Sequence, residues 1–589
     1  GERGGSALRG HGGDDLVRVL DACDASQIEA VPGMNSVAAA HVVSRWKTAK
    51  AYYRTLEFLA TAGVPQHRVT HVWKMFGDDA AEVLSQNPWA LVRVEGITFQ
   101  QADEVAVRLG LDIASPFRVE GAVRYVCRAR KGLGHLYLTS GEIYSEVRDV
   151  AGEATLEAVA RAIASLHKQK QLVVDGQTRP GVKAIYEPWM HHVEVRSAEL
   201  LLSRMRTARL DRDPDILAGY VTALGASGSA AVDAVRVNPM DLQGAAVAAL
   251  QDWSTGSNIV LSDKQRLGVL NALTAPVSII TGLPGTGKST SLRAVLSILK
   301  DAGVSFLLIA PTGIASKRVA SLTGAPAATI HRAFGARGWS KGDEREASYV
   351  GVTGQAVGAG DGSDGSGEQW ECTKIPHVAD VVVVDESSMV DQHLLYRTLT
   401  CTRETTRVVL IGDDRQLPSV GPGNVLRDVI ASGLFPVVSL TEIFRQADTS
   451  QIVVAAHAIS RGEVPDLSAS TAKEFALIRE DSEEAVLERV VQIATKLYAR
   501  QEEAGREGRP KESFQVMSPR HVGTVGVTNL NARLREPLNP KRPGLQEMRL
   551  GSEIIREDDR VMVVKNNYDW DIFNGDVGKV QKLHRNDRE

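Results

Sequence analysis

Cysteine is scarce in this chain. Only Cys23, Cys127, Cys372 and Cys401 occur in 589 residues, and the nearest two are 29 positions apart. That spacing excludes a CxxC pair, a zinc ribbon or a dense disulfide framework, and the four are expected as thiols of a reducing compartment. Long apolar runs are missing as well. None approaches the roughly 18 residues of a membrane-spanning helix, so a span is excluded. The N-terminus carries no apolar signal core and no initiator methionine, since it begins Gly1-Glu2-Arg3. The chain is therefore expected to be processed or an excerpt. An excess of one charge is also absent: 68 Lys and Arg stand against 72 Asp and Glu, a net charge of −4. No global basic field points to a nucleic-acid partner, although local basic grooves stay possible. What remains is ordinary for folded protein, with 43% apolar and 24% charged residues, over a length suggesting roughly four domains.

Residues 1–195 read as short amphipathic helices broken by glycine and proline. Two segments there are alike. Ile28–Trp46 and Leu91–Gly110 each join an apolar stretch, a tight Gly turn and an Ala-rich helix. This is a helix-hairpin-helix pattern, whose Gly turn can offer backbone N–H groups to a phosphate. The second turn glycine is replaced by Asn35 in one copy and Thr98 in the other, and a purely structural hairpin is the alternative. From His41 to Leu56 the chain carries Arg45, Lys47, Lys50 and Arg54 without an acid, among Trp46, Tyr52 and Tyr53. That mixture suits a nucleic-acid backbone with stacked bases; a solvated helix face over buried aromatics suits it nearly as well. Residues 196–255 are Ala-rich and helical by pattern, a connector.

From Val277 the pattern changes to short β-branched runs alternating with helices. Val277–Thr281, Phe306–Ala310, Val381–Asp385 and Val408–Ile411 are apolar runs of four to five residues, too short for helices, which fits parallel strands covered on both faces. Further strands are predicted at Val437–Leu440, Phe514–Met517, Arg560–Val564 and Val577–Val580. On this reading one α/β unit spans 256–435 and a second spans 436–589. Gly351–Gly367 contains seven glycines in 17 residues and is read as a flexible insertion within 336–376.

Gly282-Leu-Pro284-Gly285-Thr286-Gly287-Lys288-Ser289 matches GxxxxGK[ST] between a strand and a helix. The glycines let backbone N–H groups close around phosphates, and the helix N-terminus adds its dipole. Lys288 is expected to reach the β/γ-phosphates and the Ser289 hydroxyl to bind Mg²⁺. Val381–Val384 runs into Asp385-Glu386, where a parallel sheet binds its ligands. Asp385 suits the metal and Glu386 suits polarising a water, a division that fits hydrolysis. Gln416, after the strand ending at Ile411, can both donate and accept near a γ-phosphate. Arg445 has the character of an arginine finger, with a surface ion pair as its alternative.

Together these motifs resemble the superfamily 1B DNA helicases of the RecD type, in particular the longer RecD-like subgroup with an N-terminal helix-hairpin-helix region. The likeness runs from about Ile28 to the C-terminus. Leu261–Gln265 is similar to the glutamine motif that reads adenine, Gly282–Thr290 to motif I, Ala310–Lys317 to motif Ia and Thr329–Arg332 to the next DNA-contacting segment. Asp385–Met389 resembles motif II, Gly412–Asp428 motif III and Leu440–Gln446 motif IV. Gln515–Pro519, Asn566–Tyr568 and Phe573–Asp576 resemble later segments, and Asn87–Leu91, Gly96–Asp103 and Gly134–Leu138 resemble the hairpin region. The resemblance implies two RecA-like P-loop motor domains with parallel sheets, preceded by an all-α helix-hairpin-helix region. It implies a cytoplasmic, nucleoid-associated bacterial enzyme, monomeric, that uses ATP and Mg²⁺ to move 5′ to 3′ on single-stranded DNA, in repair or recombination.

On the same basis Gln265, Gly282, Pro284, Gly285, Thr286, Gly287, Lys288, Ser289 and Thr290 would hold the nucleotide. Lys288, Asp385, Glu386, Gln416 and Arg445 would act in hydrolysis. Pro311, Thr312, His331 and Asn574 would touch DNA, and the partners implied are single-stranded DNA, DNA junctions and a single-stranded-DNA-binding protein. Residues 333–376 fall where related helicases insert a duplex-splitting β-hairpin. The family's SH3-like insertion, Thr-x-His-x-x-Gln-Gly segment and Thr-Arg motif are not recognisable before Glu589, so an incomplete second motor domain with weak or uncoupled ATPase activity is expected. The alternative is a DNA-binding remnant or scaffold without motor activity. A conjugative relaxase would need clustered metal-binding histidines beyond the His191-His192 pair, and a GTPase would need an NKxD-type motif.

Overall fold

In the computed structural model the described residues are 35–210, 239–334, 378–442, 450–465, 474–508, 513–550, 553–564 and 567–584, without positions 65, 95, 153, 180, 181, 568, 569 and 571, together with 336–337 and 369–370. The N-terminal region begins with α1 (Ser36–Thr61), a helix of 26 residues capped by the Asn35 side chain on Ala38 N–H. Asn35 therefore takes the place of a turn glycine because it starts a helix. The rest of that first expected hairpin, Ile28–Met34, lies outside the described residues. There follow α2 (Gln66–Phe76), α3 (Ala80–Gln86), a 3-10 turn at Pro88–Arg93 and α4 (Phe99–Arg108). Thr98 and Gln101 form a reciprocal capping box at the start of α4, which accounts for a threonine at the second hairpin's turn. Then come α5 (Pro116–Lys131), β1 (Tyr137–Thr139), α6 (Ser140–Ala151), α7 (Leu156–Lys168), β2 (Val173–Arg179) and β3 (Val182–Tyr186).

The three strands form an antiparallel sheet in the order β1-β3-β2, so this region is mainly rather than wholly helical. Its core gathers Leu59, Trp89, Phe99, Val123 and Leu166. The Asp103 carboxylate accepts from Trp89 Nε1 and from Arg118 Nε and Nη2, a charge-assisted pairing that satisfies the indole of a buried Trp.

The chain then enters α8 (Pro188–Leu210) and, beyond the residues left undescribed, α9 (Pro239–Ser257) and α10 (Asp263–Thr274). The motor sheet is built from β4 (Val277–Gly282), α11 (Lys288–Asp301), β5 (Phe306–Ala310), α12 (Gly313–Thr323), β6 (Ala327–Thr329) and α13 (Ile330–Ala333). The two short strands β7 (Ala336–Arg337) and β8 (Gln369–Trp370) pair antiparallel at the root of the insertion. Gly351–Gly367 is outside the described residues. After it come β9 (Val381–Val384), α14 (Gln392–Thr400), β10 (Arg407–Gly412), α15 (Val425–Ala431) and β11 (Val437–Leu440). Six strands form one parallel sheet in the order β11-β4-β10-β9-β5-β6.

Alternation along the buried strands sends successive side chains to opposite faces. Val381 and Val383 join Ile280, Leu292 and Val295 on one face. Val382 and Val384 join Val277, Ile279, Leu395 and Leu399 on the other. Two expected boundaries are corrected here. β11 pairs with β4, so Val437–Leu440 completes the first motor sheet instead of opening a second unit at 436. In the connector, Ala246, Ala249 and Leu250 of α9 pack into the motor core.

Helix α8 fastens the N-terminal region to the motor. Tyr186, Met190 and Val193 pack with Tyr396 of α14. Arg204, 1% exposed, donates to Leu399 O, Thr402 Oγ1 and Arg403 O, and burial brings its pKa down to about 10. Downstream lie α16 (Gln451–Ser460), α17 (Glu483–Arg506), α18 (Val527–Leu538) and the antiparallel pairs of β12 (Glu547–Leu550) with β13 (Glu553–Arg556) and β14 (Arg560–Met562) with β15 (Val577–Lys579). Phe514–Met517 is not a strand; Phe514 and Val516 pack against the α17–α18 pair instead. Cys401, also expected as a thiol, is disulfide-bonded, and Cys127 is a free buried thiol. Among the described residues no helix is long and apolar enough to cross a membrane.

Arg204→Ala strips two buried acceptors, Leu399 O and Thr402 Oγ1, and the part-buried Arg403 O of their donor. It should cost about 3 kcal/mol, read as a lower urea midpoint, and Arg204→Lys should restore only part of it, because a single ammonium cannot also make the bond that the second guanidinium nitrogen donates to Leu200 O.

Candidate active site

Strands β4, β5, β9 and β10 end along one edge of the sheet, and the chemistry collects there because parallel neighbours all finish at the same side. At the end of β4 the chain turns through Gly285 and Gly287, both left-handed at φ +81° and +83°, and enters α11. A side chain at either glycine would be strained. The Thr286 hydroxyl donates to Leu283 O at 2.8 Å and braces the turn. Lys288 Nζ donates to Gly282 O and, at 3.2 Å, to Leu283 O. Burial lowers its pKa, while the charges of Asp413, Glu386 and Asp385 oppose that shift. Ser289 is exposed at the open end of the helix.

Asp385 follows β9, and its N–H is bonded to Ile309 O of β5. Burial, and then the neighbouring Glu386, push its carboxyl up to about 6. Glu386 sits in the left-handed region at φ +52°, an uncommon conformation for a glutamate and one that clusters at functional sites. The turn that holds it is pinned by Ser387 Oγ, which donates to Val384 O and Ile411 O. Thr281 Oγ1 donates to Asp414 Oδ1, and Gln416 Nε2 donates to the buried Asp413 carboxylate at 3.3 Å. The structure therefore brings Lys288, Asp385, Glu386, Asp413 and Gln416 to one edge. Ser289, Asp385 and their carboxylate neighbours are hard oxygen donors of the kind Mg²⁺ takes.

Other expected residues are placed differently. Gln265 is buried, and its amide donates to Thr286 O and Gly287 O while its oxygen accepts from Ser262 N–H. In this geometry it supports the P-loop from behind. Pro311 precedes Thr312, whose hydroxyl caps α12 by accepting from Ala315 N–H. His331 lies in α13. Asn574 is exposed in the turn after Phe573, and that turn rests on α12: Lys317 pairs with Asp576 at 2.8 Å and lies 4.8 Å over the Phe573 ring. Arg445 lies outside the described residues, as do Asn566 and Tyr568.

Three contacts were not foreseen. Arg318 of α12 reaches Glu386 at 3.7 Å, His457 of α16 meets Pro284 O at 3.4 Å, and Lys264 donates to Thr441 Oγ1. All join positions far apart in sequence, and no local pattern marks them.

A P-loop whose lysine is ringed by the carboxylates of adjacent parallel strands defines a nucleotide-hydrolysing motor domain of the RecA-like class. Comparison with known proteins narrows this. Residues 260–483 match the AAA domain family, 48–137 the ATP-dependent RecD2 DNA helicase HHH domain and 530–589 the ATP-dependent RecD-like DNA helicase SH3 domain. The chain is 26% identical over 571 residues to the ATP-dependent RecD2 DNA helicase of Deinococcus radiodurans, covering 95% of this chain and 68% of that protein. It is 28% identical over 351 residues to the RecBCD enzyme subunit RecD of Mycolicibacterium smegmatis, covering 54% and 57%. A solved structure of Pif1 helicases at forked double-stranded DNA aligns over 56% of this chain and 73% of that one, with 18% identity and a TM-score of 0.30, a likeness too loose to argue from.

Both ends of the chain thus resemble the RecD-like DNA helicases, including the helix-hairpin-helix domain of the RecD2 subgroup. With the AAA-domain match between them, the chain is an ATP-dependent DNA helicase. The SH3 match corrects one expectation: the SH3-like module is within the chain, and the hairpins β12–β15 lie in it.

Two outcomes follow from this geometry. Glu386→Gln should lower ATP turnover by about 10²- to 10⁴-fold while nucleotide binding, followed with a fluorescent analogue, stays within a few-fold. Because Asp385 holds its proton up to about pH 6, a cation must displace that proton below this pH. The Mg²⁺ concentration for half-maximal hydrolysis should therefore rise about tenfold per pH unit below 6 and level off above it.

Proposed function

We propose that this chain couples Mg²⁺-dependent ATP hydrolysis to 5′-to-3′ movement on single-stranded DNA and so opens duplexes, in repair or recombination. The observation that carries the reading is the shared edge. The ends of β4, β9 and β10 hold Lys288, Asp385-Glu386 and Asp413–Gln416, while the end of β5, in the same sheet, leads into Pro311-Thr312. Ser289 and Asp385 would hold Mg²⁺, which supplies charge neutralisation on the phosphates when bound. Lys288 would hold the β/γ-phosphates, Glu386 would accept the proton of the attacking water and Gln416 would orient that water. Gln265 would read the adenine after exchanging its P-loop bonds. Arg445 would approach the γ-phosphate from the facing domain. Thr312, His331 and Asn574 would follow the DNA backbone, and Arg318 links that surface to Glu386. The proposed setting is a cytoplasmic monomer working at the nucleoid on strands and junctions, with a single-stranded-DNA-binding protein as partner.

The test is ATP hydrolysis with and without single-stranded DNA, comparing wild type with Lys288→Ala. Stimulation of at least tenfold in the wild type and none in the variant is expected; a wild type indifferent to DNA leaves the non-motor scaffold reading. Substrates with 5′ or 3′ tails then decide polarity. Opening only of 3′-tailed duplexes would refute the 5′-to-3′ assignment.

A further inference from the structure

Far along the chain from the P-loop, helices α1 and α2 enclose an open cleft of about 530 Å³. Six of its seven lining residues come from one stripe of α1, at the i, i+4 and i+8 spacing that keeps side chains on one helix face. Ser44, Thr48 and Ala49 make a floor of small side chains, with the Arg45 guanidinium at one end and Tyr52 and Tyr53 at the other. Trp73 of α2 closes the aromatic end. Arg45 and Tyr53 are eight residues apart, about 12 Å along the helix.

The aromatic end is rigid. Tyr52 is half-buried and makes edge-to-face contacts with Trp73 at 5.5 Å and with Tyr53 at 6.0 Å. Tyr53 is 67% exposed, which is unusual for a ring braced on one side. The charge around the cleft is mainly positive. Arg45, Lys50 and Arg54 lie on α1 and Arg68 and Lys74 on α2, against a single acid on these two helices, Glu57, one turn beyond Tyr53. The net charge of −4 hides this local field.

We infer that this cleft is a second binding site for single-stranded DNA, in which an unstacked base lies on Tyr53 and Trp73 while Arg45 holds a neighbouring phosphate. The inference rests on the DNA-motor reading above for the identity of its ligand. A flat aromatic wall takes any base, because every base has a π-face, and the guanidinium adds a charge-assisted bond to the backbone. Paired duplex keeps its bases stacked inside and cannot fill the aromatic end. The turn glycines of a helix-hairpin-helix are not involved, since all the lining groups are side chains of α1 and α2.

The experiment measures anisotropy of labelled oligothymidylate with the full chain, without nucleotide, alongside DNA-stimulated ATP hydrolysis. Tyr53→Ala should weaken binding roughly tenfold, and Tyr53→Trp should restore it. Arg45→Ala should reduce the slope of log affinity against log salt by about 1. Helicity and the melting midpoint should not change, as both side chains are exposed. At saturating DNA the Tyr53→Ala turnover should equal that of the wild type, with more DNA needed to reach half-stimulation.

Equal binding by wild type and Tyr53→Ala overturns the proposal. So does Tyr53-dependent binding of an acidic, phenylalanine-containing peptide in place of the oligonucleotide. The two readings fail separately. DNA-stimulated hydrolysis with Tyr53 silent removes only this site, whereas Tyr53-dependent binding with no stimulation removes only the motor.

Discussion

The Lys288 ammonium is the fixed point of the motor domain. It is largely buried beside a loop of backbone and is bonded to the carbonyls of Gly282 and Leu283. A cation in that position is tolerable only if negative charge surrounds it. The sheet supplies it: β9 delivers Asp385 and Glu386, β10 delivers Asp413, and both strands stop at the level where β4 turns. The crowding has the opposite effect on the acids. With burial and a second carboxylate next to it, Asp385 keeps its proton unusually long. The site is thus a compromise between one cation and several anions.

That compromise depends on stiffness in the turns. Gly285 and Gly287 take left-handed conformations, and the Thr286 hydroxyl and the Gln265 amide hold the loop from either side. Glu386 is held in its own left-handed position by the Ser387 hydroxyl, which ties together the ends of β9 and β10. Each brace is a buried polar side chain satisfied by backbone, the arrangement that a precise geometry requires.

Much of this was legible in the sequence because it is local. Runs such as Val381–Val384 are apolar on both faces, which marks central parallel strands, and the P-loop glycines sit where left-handed backbone is needed. Pairing partners were not legible. Val437–Leu440 looks the same whether it closes the first sheet or opens another, and only its ladder with β4 decides. Phe514–Met517 has a strand's composition yet packs as an irregular segment against α17 and α18. Thr98 was read as a weakened hairpin turn, whereas its hydroxyl caps α4. The contacts of Arg318 with Glu386 and of His457 with the P-loop join residues 68 and 173 positions apart, which no periodicity can express.

The join between the N-terminal region and the motor carries a further consequence. Gly423 donates its N–H to Gly134 O at 3.0 Å, and a side chain at Gly423 would crowd Gln392 and Leu136. Gln392 in turn bonds Pro422 O and Val193 O. The loop leaving Gln416 is therefore fitted to the hairpin region backbone to backbone, with no side chain in between to absorb a change. Replacing the N-terminal region would therefore have to carry residues 419–423 and α8 along with it, so the unit that must be kept together is larger than the domain borders suggest.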